Sequence, residues 1–135
     1  MTRWIDRLSI RALNSGVTMD SKLPNTSKWQ LGASLAQDFA IGHYGTLTSR
    51  VDWSWQSSYF VDSSNAPLLE QDDVHLLNAS LTYTTNDDRW VVVLSGRNLT
   101  DEAYLVSGLA QYSVGQIEGQ FARPREWNLS LHRNF

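Results

Sequence analysis

The chain has 135 residues, room for one ordinary domain, and its net charge of −3 gives no basic signature for nucleic acid. It holds no cysteine, which excludes a disulfide framework and a cysteine-based zinc site. Its longest apolar run, "WVVVL" at 90–94, falls far short of the roughly 18 residues a membrane helix needs, and "MTRWIDRLSI" has no charged start followed by the apolar stretch of a signal peptide.

Apolar and polar residues alternate with a period of two along most of the chain, and turn residues separate the runs. This is the pattern of half-buried strands, and it predicts six of them. The first covers about 6–18, with Leu8, Ile10 and Ala12 on one face. The second covers about 28–40, with Trp29, Leu31, Ala33, Leu35 and Phe39 opposed to Gln30, Gly32, Ser34, Ala36 and Asp38. In the third, about 45–58, Leu47, Val51, Trp53 and Trp55 oppose Thr46, Thr48, Arg50, Asp52, Ser54 and Gln56. In the fourth, about 74–85, Leu77, Ala79, Leu81 and Tyr83 oppose Asn78, Ser80, Thr82 and Thr84. The fifth, about 89–100, sets Trp90, Val92 and Leu94 against Ser95 and Arg97. The sixth, about 122–135, carries Trp127, Leu129 and Leu131 and finishes on Phe135.

The connections alternate in length. "IGHYG" and "NDD" are tight, whereas "MDSKLPNTS", "YFVDSSNAPLLEQDD" and the stretch from 101 to 121 are long. In an antiparallel meander all the short turns then lie at one end and all the long connections at the other. Outer-membrane barrels have this asymmetry, with short periplasmic turns, longer outer loops, apolar faces toward lipid, polar faces toward the lumen and aromatic girdles at both rims. A soluble β-sandwich alternates too, with its apolar faces turned inward. Its strands are usually only about 5–6 residues long, and its outer faces would carry more Lys and Glu than the hydroxyl- and amide-rich faces here. Six strands close only a very small barrel, and an open sheet edge is not viable in lipid. The chain therefore reads as a fragment of an all-β fold. It would be an antiparallel meander of about six long strands, the C-terminal portion of a transmembrane β-barrel, and Met1 need not be a true start.

At "RWVVVLSGRNLTDEAYLVSG" (89–108) the sequence resembles the C-terminal region of TonB-dependent outer-membrane receptors. In that family an apolar alternation leads into Asn-Leu-[Thr/Phe]-Asp and a Tyr, matched here by Asn98, Leu99, Thr100, Asp101 and Tyr104. A glycine-containing loop and a closing strand follow, matched by Pro124, Arg125, Trp127, Leu129, Leu131 and Phe135. Looser likenesses at 23–35 and 72–83 extend the resemblance over about 20–135. Two departures stand out. Arg133 occupies a position that is usually apolar or aromatic, and Ala122 and Arg123 stand where the family has a glycine before Pro-Arg.

The resemblance implies a barrel of about 22 strands with an N-terminal plug domain and a TonB box, neither present in this chain. It implies uptake of siderophore-bound iron, cobalamin or saccharides, energised through TonB. It also implies that Trp127, Leu129, Leu131 and Phe135 form a signal read by the barrel assembly machinery. The implied partners are outer-membrane lipid, the rest of the barrel and plug, the TonB complex and that machinery, and the implied location is the outer membrane of a Gram-negative bacterium.

No motif supports catalysis, a cofactor or a metal. His43, His75 and His132 lack ligand spacing, and the pairs Asp72-Asp73 and Asp87-Asp88 read as turn residues. The Asn-x-Ser/Thr triplets at Asn25, Asn78, Asn98 and Asn128 read as products of Asn/Ser/Thr-rich faces, not glycan sites. Arg50, Asp52, Arg97 and Glu126 are expected to face the lumen, and a hairpin centred on "IGHYG" sets Asp38 opposite Thr48 and diagonal to Arg50, within ion-pair reach. Ligand contact is expected of the long loops 59–73 and 104–121, through Tyr59, Phe60, Tyr104, Tyr112 and Phe121. Two other readings stand beside a TonB-dependent transporter: the terminal strands of a porin-like channel without energy coupling, and a soluble β-rich binding module.

Overall fold

Long alternation gives long strands. The computed structural model describes residues 20–135; the predicted strand at 6–18 lies outside them. In chain order the strands are β1 (Gln30–Ala40), β2 (Gly45–Gln56), β3 (Tyr59–Phe60), β4 (Glu70–Gln71), β5 (Val74–Thr85), β6 (Trp90–Arg97), β7 (Leu105–Gln111), β8 (Gln116–Phe121) and β9 (Glu126–Arg133). A single 3-10 turn spans Pro67–Leu69, and there is no α-helix among the described residues. The fold is all-β and antiparallel. The chain divides into two units, each described by itself. The sheet unit holds 30–56, 75–103 and 123–135, and the loop unit holds the described residues up to 29, 57–74 and 104–122.

The sheet unit is a five-stranded sheet in the order β1-β2-β5-β6-β9. Its pairing follows from the two tight turns. In the first, the Ile41 N–H donates to the Gly45 carbonyl at 2.8 Å. Gly45 is required there: it sits at φ +145°, and a Cβ would run into the carbonyl oxygen of Thr84. The resulting register sets Asp38 opposite Thr48 and Leu35 opposite Val51. In the second turn the Asp88 N–H donates to the Thr85 carbonyl at 2.9 Å, with Asp88 at φ +54°. β6 then pairs with β9 from Trp90 opposite Arg133 to Arg97 opposite Glu126. Every second residue thus lies on one apolar face, and the ring contacts of His75 with Trp53 and Trp55, at 6.3 Å each, carry that face from β2 to β5.

This apolar face is uncovered. Leu31, Leu35, Val51, Leu94, Trp127, Leu129 and Leu131 are all exposed, Leu129 to 71%. The polar face of the same strands carries Ser34, Asp52, Thr48, Ser80, Ser95, Asn128 and Ser130. Neither face is a packed core.

The loop unit does have a core. Tyr59, Val61, Ala66, Leu69, Val74 and Leu105 are buried. The long connections predicted between strands fold into a β3–β4 ladder and a β7–β8 hairpin. Gly108 in β7 permits the packing, since a Cβ there would lie 2.7 Å from Val61 and 2.8 Å from Leu69. Two buried polar groups tie the unit together. The Gln71 side-chain oxygen accepts the Leu105 N–H at 2.7 Å. The Asp62 carboxylate accepts the Ala66 N–H at 3.0 Å, the Ser64 N–H at 3.1 Å and the Ser64 hydroxyl. Such side-chain bonds to nearby backbone satisfy a turn that has no ladder partner.

Candidate functional site

The residues expected on the polar face fall into two groups. In the first, the Arg50 guanidinium closes on Asp52, two residues along the same strand, with Nη2 2.8 Å from Oδ1 and Nε 2.8 Å from Oδ2. The Ser34 hydroxyl, directly across on β1, donates to the same carboxylate at 2.5 Å. The expected pairing of Arg50 with Asp38 is therefore corrected. Asp38 accepts the Thr48 hydroxyl at 2.6 Å, and Arg50 takes the carboxylate on its own strand. A two-residue step along a strand returns to the same face, where the long arginine reaches its neighbour without crossing a strand.

In the second group Arg97 and Glu126 are direct cross-strand partners. Glu126 nonetheless pairs with Arg123, at 3.6 Å. The two arginines and the single carboxylate line a concavity of about 580 Å³ with Ser95, Trp127, Asn128 and Leu129. Its charge balance is positive, so it suits an acidic group.

The stretch Asn98–Asp101, read from sequence as the end of a strand, is a turn with a buried hub. Asn98 is buried at φ +49°, a left-handed conformation that Asn tolerates. Its N–H donates to the Asn78 side chain at 3.0 Å, and its Nδ2 donates to the carbonyls of Glu102 at 2.9 Å and Arg123 at 3.2 Å. Its Oδ1 accepts the Glu102 N–H at 2.9 Å. Around it, the Leu99 N–H donates to the Leu77 carbonyl at 2.8 Å and the Thr100 hydroxyl to the His75 carbonyl at 3.0 Å. The Asp101 carboxylate accepts the Arg125 N–H at 2.9 Å. The motif that carries the family resemblance is thus a clamp holding β5, the end of β6 and the entry to β9. The Asn-Leu-Thr-Asp motif marks it in the sequence, though not the turn it forms.

The loop aromatics divide by exposure. Tyr112, at the β7–β8 turn, and Phe121 are exposed. Phe60 and Tyr104 are half-buried, and the Lys22 ammonium lies 5.2 Å from the Phe60 ring centre. Tyr59 is not available for stacking on a ligand. It is 7% exposed, and its hydroxyl donates to the Leu105 carbonyl at 3.0 Å. A hydroxyl that finds a buried carbonyl makes Tyr59 part of the core, which corrects its assignment to ligand contact.

On β9, Trp127, Leu129 and Leu131 share the uncovered apolar face, and Phe135 is fully exposed. No group of histidine and acidic side chains among the described residues is placed to hold a metal ion. No helix among them is long and apolar enough to cross a membrane.

No protein-family model matches the sequence, and no curated protein matches it. Among solved structures, the fold is similar to that of the ferric yersiniabactin uptake receptor FyuA from Yersinia pestis. The TM-score is 0.73 at 22% identity, over 87% of this chain and 19% of that one. It is also similar to BauA, the ferric preacinetobactin receptor from Acinetobacter baumannii, with a TM-score of 0.63 at 21% identity over 85% of this chain and 16% of that one. The chain thus spans less than a fifth of the length of either receptor, and at such identities the likeness is one of fold.

Proposed function

We propose that this chain supplies the last strands of the barrel wall, and the long connections between them, of an outer-membrane receptor that takes up a ferric siderophore and is energised through TonB. The observation that carries this reading is the sheet with two open faces, one apolar and one polar, on the same strands. In water such a sheet would bury its apolar face against another layer. In a bilayer that face meets acyl chains, and the polar face lines the lumen. The fold shared with two ferric-siderophore receptors supports the same reading.

Each group then has a role. Arg50, Asp52 and Ser34 brace the lumenal wall. Arg97 and Arg123 offer positive charge to an acidic group of the plug or of the passing ligand. Tyr112 and Phe121 present exposed rings on the connections. The closing strand, with Trp127, Leu129, Leu131 and Phe135, is the segment the assembly machinery reads, and the rest of the barrel, the plug and the TonB box come from other parts of the polypeptide. The chain takes part in transport and performs no catalysis.

The test is fractionation followed by uptake. The polypeptide should sediment with outer membranes and require detergent for release. Deleting its gene should abolish accumulation of radioactive iron from one class of ferric siderophore, and removing TonB should do the same. Recovery in the aqueous fraction would replace this reading with a soluble module. Uptake that persists without TonB would replace it with a channel.

A further inference from the structure

Arg133 is the one charged residue in the apolar alternation of β9. It lies directly opposite Trp90 across the β6–β9 pair. Its guanidinium carbon is 5.2 Å from the Trp90 ring centre and 4.9 Å from that of Phe135. The strand end is fastened beside it: the Asn134 N–H donates to the Arg89 carbonyl at 2.8 Å, and the Asn134 side chain donates to the Asp88 carbonyl at 2.7 Å.

Attraction to ring faces uses the charge of a guanidinium and consumes none of its five N–H donors. The Arg133 guanidinium makes no ion pair or hydrogen bond with a described residue. The nearby turn carboxylate of Asp87 is occupied by the Thr85 hydroxyl at 2.7 Å and by Arg89 at 3.6 Å. Toward the sheet centre the same face continues as Val92, Leu94, Leu131 and Leu129. A cation with free donors therefore stands within reach of two rings, at the end of an open apolar track.

We infer that Trp90, Arg133 and Phe135 form a binding site for the phosphate of a phospholipid headgroup at the short-turn rim of the sheet. The guanidinium fork takes two phosphate oxygens, as arginine does wherever planar bidentate recognition is needed. The rings hold the fork in place, and the acyl chains lie along Val92, Leu94, Leu131 and Leu129. The inference deepens the membrane reading of the apolar face and rests on it. It also explains the departure at Arg133: the charge belongs at a headgroup.

The test uses the whole polypeptide carrying this strand, held in detergent micelles. Three probes are titrated: a short-chain phosphatidylglycerol, the matching diacylglycerol without phosphate, and glycerol phosphate without chains. Bound molecules are counted by native mass spectrometry. The parent should prefer phosphatidylglycerol over diacylglycerol, and Arg133→Leu should reduce that preference roughly tenfold, the worth of one charge-assisted contact. Arg133→Lys, which retains the charge and a long stem, should keep an intermediate preference, and it serves if the leucine variant does not fold. Arg89→Leu, at the same rim, should leave the preference unchanged. A preference that survives Arg133→Leu, or is lost equally in Arg89→Leu, overturns the site. Glycerol phosphate competing as well as the lipid overturns the lipid assignment. If neither lipid associates with the parent, the membrane reading itself falls.

Discussion

The loop unit and the five-stranded sheet are made of similar residues but place their apolar side chains in opposite ways. In the loop unit, strands of two to seven residues surround a core in which Leu69 is 2% exposed. In the sheet, strands of eight to twelve residues leave Leu35 and Leu129 each 71% exposed. The loop unit is organised as a water-soluble domain is, by hydrophobic burial. The sheet is held by its backbone ladder and a few polar clusters, and its apolar surface remains to be covered by another medium. The identity of a residue therefore has to be read together with the unit that holds it.

That contrast can be attacked from both sides. The largest effect is expected from Leu69→Ala. Truncating a side chain that packs against Gly108 leaves a cavity and should destabilise the loop unit by about 2–5 kcal/mol. The measurement is hydrogen exchange, with protection lost across 105–111 and 116–121 and retained in β1 and β2; loss spread evenly over both units would remove the distinction. Next comes Leu35→Arg at the middle of β1. On a lipid-facing strand it should cost about 2–4 kcal/mol for folding into vesicles, whereas an exposed position in water would tolerate it. An unchanged folding midpoint in vesicles would show that the face does not meet lipid.

A smaller loss is expected at the hub. Asn98→Gly keeps the left-handed backbone and removes only the side-chain bonds, so about 1–3 kcal/mol should be lost, read as faster exchange of the Glu102 and Arg125 amides. The smallest effect concerns the β5–β6 turn. The Thr85 hydroxyl and then the Arg89 N–H hold the Asp87 carboxyl below the usual carboxylate range, against a smaller opposing effect of desolvation. Because the folded value is lowered, the contribution is present above the ordinary value of about 4 and is lost as pH falls through the folded one. The protection of the Arg89 amide, relative to its intrinsic exchange rate at each pH, should therefore fall at acid pH in the parent and show no such step in Asp87→Asn.

The sheet was readable from sequence because period-two alternation persists for eight residues or more in each of its strands and because short turns fix the partners. The expectation of Asp38 opposite Thr48 came from that geometry and holds in the register. Side-chain partners were less readable. Whether Arg50 reaches Asp38 or Asp52 depends on rotamers, on which alternation is silent. The β7–β8 hairpin was hidden by Gly108 and Gly119, which suggest a loop until Val61 and Leu69 are seen to fill the space at the first and Leu105 at the second. Tyr59 looked like a ligand contact because nothing in its neighbours announces the buried carbonyl of Leu105.

The clamp around Asn98 and Asp101 has a consequence for how such a chain can change. Asn98 holds the Arg123 carbonyl and Asp101 holds the Arg125 N–H, so the two feet of the connection from 103 to 122 are fastened together by residues outside it. The entropy of closing a longer loop rises only slowly with length once its base is fixed. The tip of the connection, around the exposed Tyr112, can therefore be lengthened or rewritten while β6 and β9 keep their alignment, whereas Leu105 and Gly108, which pack into the loop unit's core, must stay.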